Sequence, residues 1–159
     1  MKVDAEGGCA CGAVRYRLKA APMFVNCCHC TCCQTESGSA FAVNALVEAS
    51  AVELLAGAPE GVDTPSESGV GQKVWRCPDC RVALWSNYAA AGPGINFVRA
   101  GTLDAPGARA PDAHIYVRSK ASWVNLPEDA PAFESFYDLR ALWPAESFAR
   151  LIAAKTAAG

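Results

Sequence analysis

Between positions 27 and 33 the chain reads Cys-Cys-His-Cys-Thr-Cys-Cys, five thiols and an imidazole in seven residues. Packing alone does not call for that density. Thiols so close together bind a soft metal, oxidise to disulfides, or stay reactive. Four more cysteines stand in two distant pairs, Cys9 with Cys11 upstream and Cys77 with Cys80 downstream. The total of nine is odd, so pairing within the chain cannot use every thiol. It divides naturally into four for a closed tetrahedral zinc site, three for an open one, and two left over, which mirrors the difference between structural and catalytic zinc sites. We read Cys9, Cys11, Cys77 and Cys80 as sharing one structural Zn2+, and part of the central cluster as a second, more open site.

Length and charge narrow the setting. A chain of 159 residues suits one compact domain. With a net charge of −2 and no run of Lys or Arg, it has no nucleic-acid footprint. The opening residues lack the apolar core of a secretion signal, and no uninterrupted apolar stretch reaches membrane-span length. These features point to a cytoplasmic protein with no membrane partner. In that compartment thiols stay reduced and clusters serve metals or catalysis.

Taken in order, Gly7 to Gly12 is a turn-rich lead, and extended backbone there would turn Cys9 and Cys11 to one side. Val14, Tyr16 and Leu18 alternate with Arg15 and Arg17, the mark of a half-buried strand. A short strand over Met23 to Val25 delivers the cluster, and Gln34 to Ser39 is a turn or short helix ending at Gly38. Strands follow near 40–47 and 51–55, and the Gly-, Pro- and acid-rich stretch 56–69 reads as an exposed loop. Beyond the Cys77-Pro78-Asp79-Cys80 turn, further strands fall at 82–85, 95–100 and 113–117. Helix formers dominate from Ser135 to Ala158, and Pro144 should split that tail, with the second helix starting near Ala145. The expectation is a mostly β domain over 1–134 with a C-terminal α-helical extension, 135–159, packed on it. The stripe of Phe148, Leu151 and Ile152 reads as packing, with a homodimer as one outlet, and Trp75, Trp85 and Trp123 as core or pocket wall.

The segment Gly7-Gly8-Cys9-Ala10-Cys11-Gly12-Ala13-Val14-Arg15-Tyr16 resembles the opening of the glutathione-dependent formaldehyde-activating enzyme family, whose domain also occurs in centromere protein V. Cys28-His29-Cys30 with Cys33, then Ser37-Gly38 and Phe41, resembles that family's central motif. Cys77-Pro78-Asp79-Cys80 resembles its third, and His114 to Val117, Lys120, Trp123 and Pro131 with Phe133 its closing segment. Ala10 and Arg81 depart from the residues usual there, a His and a Gly, at positions that ligate nothing. The resemblance implies several short coiled antiparallel β-sheets built around zinc. It assigns Cys9, Cys11, Cys77 and Cys80 to the structural ion, and Cys28, Cys30 and Cys33 to a labile catalytic one. It also implies a carbon–sulfur lyase that joins glutathione and formaldehyde through an S-hydroxymethyl thiol.

Chemistry at such a site follows from its ligands. Three thiolates on zinc leave a position for a small thiol, which the metal keeps deprotonated and nucleophilic toward an aldehyde. Three anionic ligands make the zinc a weak Lewis acid, which favours thiol activation over hydrolysis. Cys27 and Cys32 are extra thiols that would either close the inner site as ligands or form a disulfide. His29, flanked by cysteines on an alternating backbone, should turn away from them, and His114 belongs to a strand. Arg118 and Lys120 read as surface charges that could also meet a carboxylate. Two other classes stay open: a zinc-stabilised binding module without catalysis, and a redox sensor in which Cys27 and Cys32 exchange disulfides.

Overall fold

The computed structural model describes residues 4–158. In chain order the elements are β1 (Ala5–Gly8), β2 (Arg15–Leu18), β3 (Phe24–Cys28), α1 (Thr31–Ser37), β4 (Ala42–Glu48), β5 (Val52–Ala56) and β6 (Glu60–Thr64). They continue with β7 (Gln72–Arg76), β8 (Ala83–Tyr88), β9 (Ile95–Arg99), β10 (Ala113–Ile115), β11 (Ala132–Phe133), α2 (Leu139–Leu142) and α3 (Ala145–Ala157). The mostly β reading with a helical C-terminus holds.

Two sheets carry the strands. The smaller has the order β1-β2-β5, and the larger runs β11-β10-β3-β4-β9-β8-β7-β6. Pairing is antiparallel throughout except at β10, which lies parallel to both β3 and β11. A three-residue strand such as β10 shows no orientation in its composition, so the antiparallel expectation fails there. In β2 the predicted alternation is real: Tyr16 and Leu18 are fully buried, while Arg15 and Arg17 reach outward to Asp104 and Glu6. All five residues of β3 are buried, because the large sheet is covered on both sides. One face packs Val25, Ala45, Val47 and Trp85 against Tyr16 and Leu18 of the small sheet. The other packs Phe24, Leu46 and Ile95 against Tyr137, Trp143 and Leu151 of the tail. The result is three layers, with β3 in the middle one.

The stretch read as an exposed loop contains a strand. Residues Glu60 to Thr64 pair with β7 from Glu60↔Arg76 to Thr64↔Gln72. Nearly every side chain of β6 is exposed, so this edge strand has backbone pairing but no burial pattern to betray it. The tail breaks at Pro144 as expected, with α3 beginning at Ala145. Of its stripe, Leu151 is buried, Phe148 is half-buried and Ile152 is 48% exposed. Trp85 is core and Trp75 half-buried, but Trp123 is 73% exposed, which overturns the core or pocket-wall reading for that residue.

Candidate metal centres and the cavity over the inner one

The sulfurs of Cys9, Cys11, Cys77 and Cys80 all lie within 4.8 Å of one another. Cys9 and Cys11 come together by a turn and not, as the sequence suggested, by extended backbone. The Gly12 N–H donates to the Cys9 carbonyl at 3.2 Å, and Gly12 takes φ +79, which glycine adopts without strain. The second pair sits on a turn closed by the Arg81 N–H to the Cys77 carbonyl at 3.0 Å. Arg81 occupies φ +62, which explains why a glycine is usual there. Sulfur separations of 3.5 Å for Cys9–Cys11 and 3.7 Å for Cys11–Cys77 compare with the roughly 3.8 Å edge of a tetrahedron with 2.3 Å Zn–S bonds. Donor set and spacing both fit zinc. Backbone N–H groups of Val82 and Cys11 pull Cys80 down to about 6. Burial pushes Cys9 up, but the Val14 N–H and the neighbouring thiols outweigh it and leave Cys9 lowered.

Cys28, Cys30 and Cys33 form a second set within the same 4.8 Å limit. Alternation along β3 and just beyond it sends Cys28 and Cys30 to the tail-facing side of the large sheet. Cys30 caps α1, its sulfur accepting the Cys33 N–H at 3.3 Å, as a serine or aspartate does elsewhere. The Cys28 and Cys33 thiols, helped by the N–H groups of Cys33 and Cys32, pull Cys30 down to about 3. Contact with Cys30, then Cys33, drives Cys28 well up. Cys33 rises to about 12, its contact with Cys28 outweighed by Cys30 and burial. Three sulfurs this close together are a donor set suited to a soft dication.

Helix α1 carries Cys33 and is clasped from two sides. Gln34 donates to the His29 carbonyl at 2.7 Å and the Ser119 carbonyl at 2.9 Å. Glu36, its side chain only 6% exposed, pairs with Arg76 at 2.5 Å and Arg99 at 3.2 Å. Neither extra thiol joins the inner set. Cys27 faces the opposite way, 3.5 Å from His29 Nε2, which lies 3.0 Å from His114 Nδ1. His29 does turn away from its flanking cysteines, but into a fully buried position. Burial, with His114 and Lys120 adding positive charge, pushes His29 down to about 4, and burial lowers His114. The two imidazoles thus tie the segment just after β3 to β10. Cys27, His29 and His114 form a third close group.

A cavity of about 380 Å³ opens over the inner thiols, and Cys32 lies on its wall. Tyr88 and Tyr116 also line it. Burial raises Tyr88, and burial with nearby negative charge holds Tyr116 at about 12. Phe136, Leu139, Trp143, Leu151 and Lys155 of the tail supply another side. Cys32 apart, none of these was a candidate site residue: Tyr116 stood only within the closing motif, and Leu151 was read as packing. The only signal for the tail residues was helical periodicity, which shows that a side chain is buried but not what it is buried against. Arg118 and Lys120 are engaged elsewhere: Arg118 pairs with Glu67 at 2.8 Å, and Lys120 donates to the Val124 carbonyl at 2.6 Å. Among the described residues no helix is long and apolar enough to cross a membrane.

A protein of Halomonas elongata, provisionally named a glutathione-dependent formaldehyde-activating enzyme, is 29% identical over 133 residues, covering 76% of this chain and 80% of that one. A crystal structure of a Rhodobacter sphaeroides protein overlays with a TM-score of 0.45 at 18% identity, covering 80% of this chain and 98% of the other, too loosely to bear on the site. The family profile itself matches residues 4–119, a span that holds all nine cysteines and both histidines. The chain belongs to the family of the glutathione-dependent formaldehyde-activating enzymes.

Proposed function

We propose that the protein is a zinc-dependent enzyme that makes and breaks the carbon–sulfur bond of a small thiol–aldehyde adduct. The observation that carries this reading is the meeting of three clustered thiols, with no fourth Cys, His, Asp or Glu donor in their set among the described residues, and a cavity that leads to them. The outer four thiols, closed and set between the sheets, suit a structural ion instead. Glutathione and formaldehyde, the molecules in the family's name, are the first pair to test.

A zinc ion held by Cys28, Cys30 and Cys33 would supply a cation that keeps a substrate thiol deprotonated at neutral pH. The substrate thiol loses its proton, its sulfur forms a bond to the aldehyde carbon, and the carbonyl oxygen takes up a proton to give the S-hydroxyalkyl thiol. Cleavage reverses each step. Tyr116 stays protonated well above neutral pH and faces the same cavity, so its phenol can give that proton and take it back. The apolar walls exclude water from the bond being made.

The test is magnetisation exchange between labelled formaldehyde and its glutathione adduct, measured with the zinc-loaded protein. Exchange should exceed the spontaneous rate and fall to it in Cys28→Ser and Cys33→Ser, each of which should also lose zinc. Exchange at the spontaneous rate with intact protein, or full activity and full zinc in Cys28→Ser, would refute the proposal.

A further inference from the structure

The walls of the inner cavity speak to what enters it. Glutathione carries two carboxylates and an ammonium, and burying such charges without partners is expensive. The cavity offers little for them. Its basic side chains are Arg99, already paired with Glu36, and Lys155, exposed at the tail's edge with no carboxylate partner among the described residues. Its acid, Glu67, is paired with Arg118. The remaining surface is dominated by rings and aliphatic groups, among them Tyr88, Phe97, Phe136, Trp143 and Leu151.

A second observation comes from where these residues lie in the chain. The family match ends at residue 119, while Phe136, Leu139, Trp143, Leu151 and Lys155 all follow it. This wall belongs to the tail, and the tail is firmly seated. Trp143 Nε1 donates to the Tyr137 hydroxyl at 2.9 Å, which donates to Asn26 on β3 at 2.9 Å. Arg150 grips Glu48 on β4 with two hydrogen bonds of 2.7 Å. The cap is therefore a fixed part of the cavity, built from residues to which the family's name does not extend.

We infer, resting on the carbon–sulfur reading above, that the substrate adduct carries an apolar group of aromatic size on one side of its C–S bond and at most one carboxylate, which Lys155 would meet. A volume of about 380 Å³ accommodates such a ligand. The group could come with the thiol or with the aldehyde, and the experiment separates the two.

Zinc-loaded protein is titrated calorimetrically with three adducts: phenylmethanethiol with formaldehyde, 3-sulfanylpropanoate (one carboxylate) with phenylacetaldehyde, and glutathione with formaldehyde. C–S exchange is followed in parallel by NMR. At least one apolar adduct should bind about tenfold or more tightly than the glutathione–formaldehyde adduct, the worth of partly burying one more apolar group. Which one does so identifies the side that carries the group. Phe136→Ser and Leu139→Ser, both at positions that are not fully buried, should erase most of that preference. Circular dichroism confirms that each is folded, and either variant suffices. Equal or tighter binding of the glutathione–formaldehyde adduct overturns the inference, as does a preference untouched in both folded variants. Tight, Phe136-dependent binding without exchange would sustain the inference and sink the lyase reading. Rapid exchange on glutathione and formaldehyde with no apolar preference would do the reverse.

Discussion

Replacing Cys77 by Ser should detach the small sheet while the large one survives. The four outer thiols join the β1–β2 turn to the β7–β8 turn, so they bridge the two sheets. Ordering strands of four, four and five residues costs roughly 13–26 kcal/mol at 1–2 kcal/mol per residue. Against this, Val14, Tyr16 and Leu18, each at most 1% exposed, contribute about 5–9 kcal/mol by burial. A four-thiolate zinc adds about 10 kcal/mol or more. With the metal the two sides balance, and without it the sheet does not hold.

Cys77→Ser should therefore lose about one zinc per chain and, in hydrogen exchange by mass spectrometry, lose protection in peptides covering residues 5–18 and 52–56. Peptides from β3, β4 and β9 should keep theirs, because their other face is covered by the tail. Chelation of the outer ion from the parent protein should give the same pattern. Full protection of residues 5–18 in a variant shown to have lost that zinc would refute the assignment of the metal as the staple.

Three further outcomes can be checked. Tyr116→Phe should lower the exchange rate by about 10²-fold without loss of zinc, if the phenol is the proton donor; an unchanged rate removes it from that role. Burial raises the Glu48 carboxyl, but Arg150 more than offsets this and holds it below its usual 4.5, so the pair stabilises α3 above that value and fades as the pH falls through the lowered folded one. Glu48→Gln should then cost about 1 kcal/mol at pH 7 and less in acid, by urea denaturation at both pH values; an equal difference at both contradicts the sign. Arg81 holds φ +62, so Arg81→Gly should be neutral to slightly stabilising, whereas a β-branched Arg81→Val should lose about 1 kcal/mol or more in the same assay. Equal stabilities would mean that this backbone position is not constrained.

How much of this was legible in the sequence depended on whether side chains recorded the structure. The alternation of Val14, Tyr16 and Leu18 marked β2 because one face of that strand is buried and the other meets solvent. Pro144 broke the tail because its ring cannot continue a helix. Cys9 and Cys11 were grouped correctly for the wrong reason: a turn about Gly12 brings the sulfurs together, and spacing alone cannot distinguish a turn from a strand. β6 left no trace because an exposed edge strand is specified by backbone pairing. The cavity was invisible for a different reason. Trp143 and Leu151 are 29 and 37 residues beyond His114, and nothing local states that they close over Cys28.

The inner thiols owe their arrangement to more than the motif that contains them. β3 fixes Cys28, but Cys33 rides on α1, a helix of seven residues that would not persist alone. It is held by Glu36, a nearly buried carboxylate between two guanidinium groups on β7 and β9. Arg99 also donates to Asn44, its Nε has no partner among the described residues, and it lies on the wall of the same cavity. Removing the carboxylate charge leaves Arg99 buried without its counter-ion, at a cost of about 3–5 kcal/mol. The structure can relieve that cost by letting α1 move and water in. Glu36→Gln should thus lose inner zinc while the outer zinc stays, although Glu36 touches neither set of thiols. A variant that keeps both ions and binds thiols as the parent does would mean that β3 and the Cys30 cap suffice to place Cys33, and that the clasp serves stability alone.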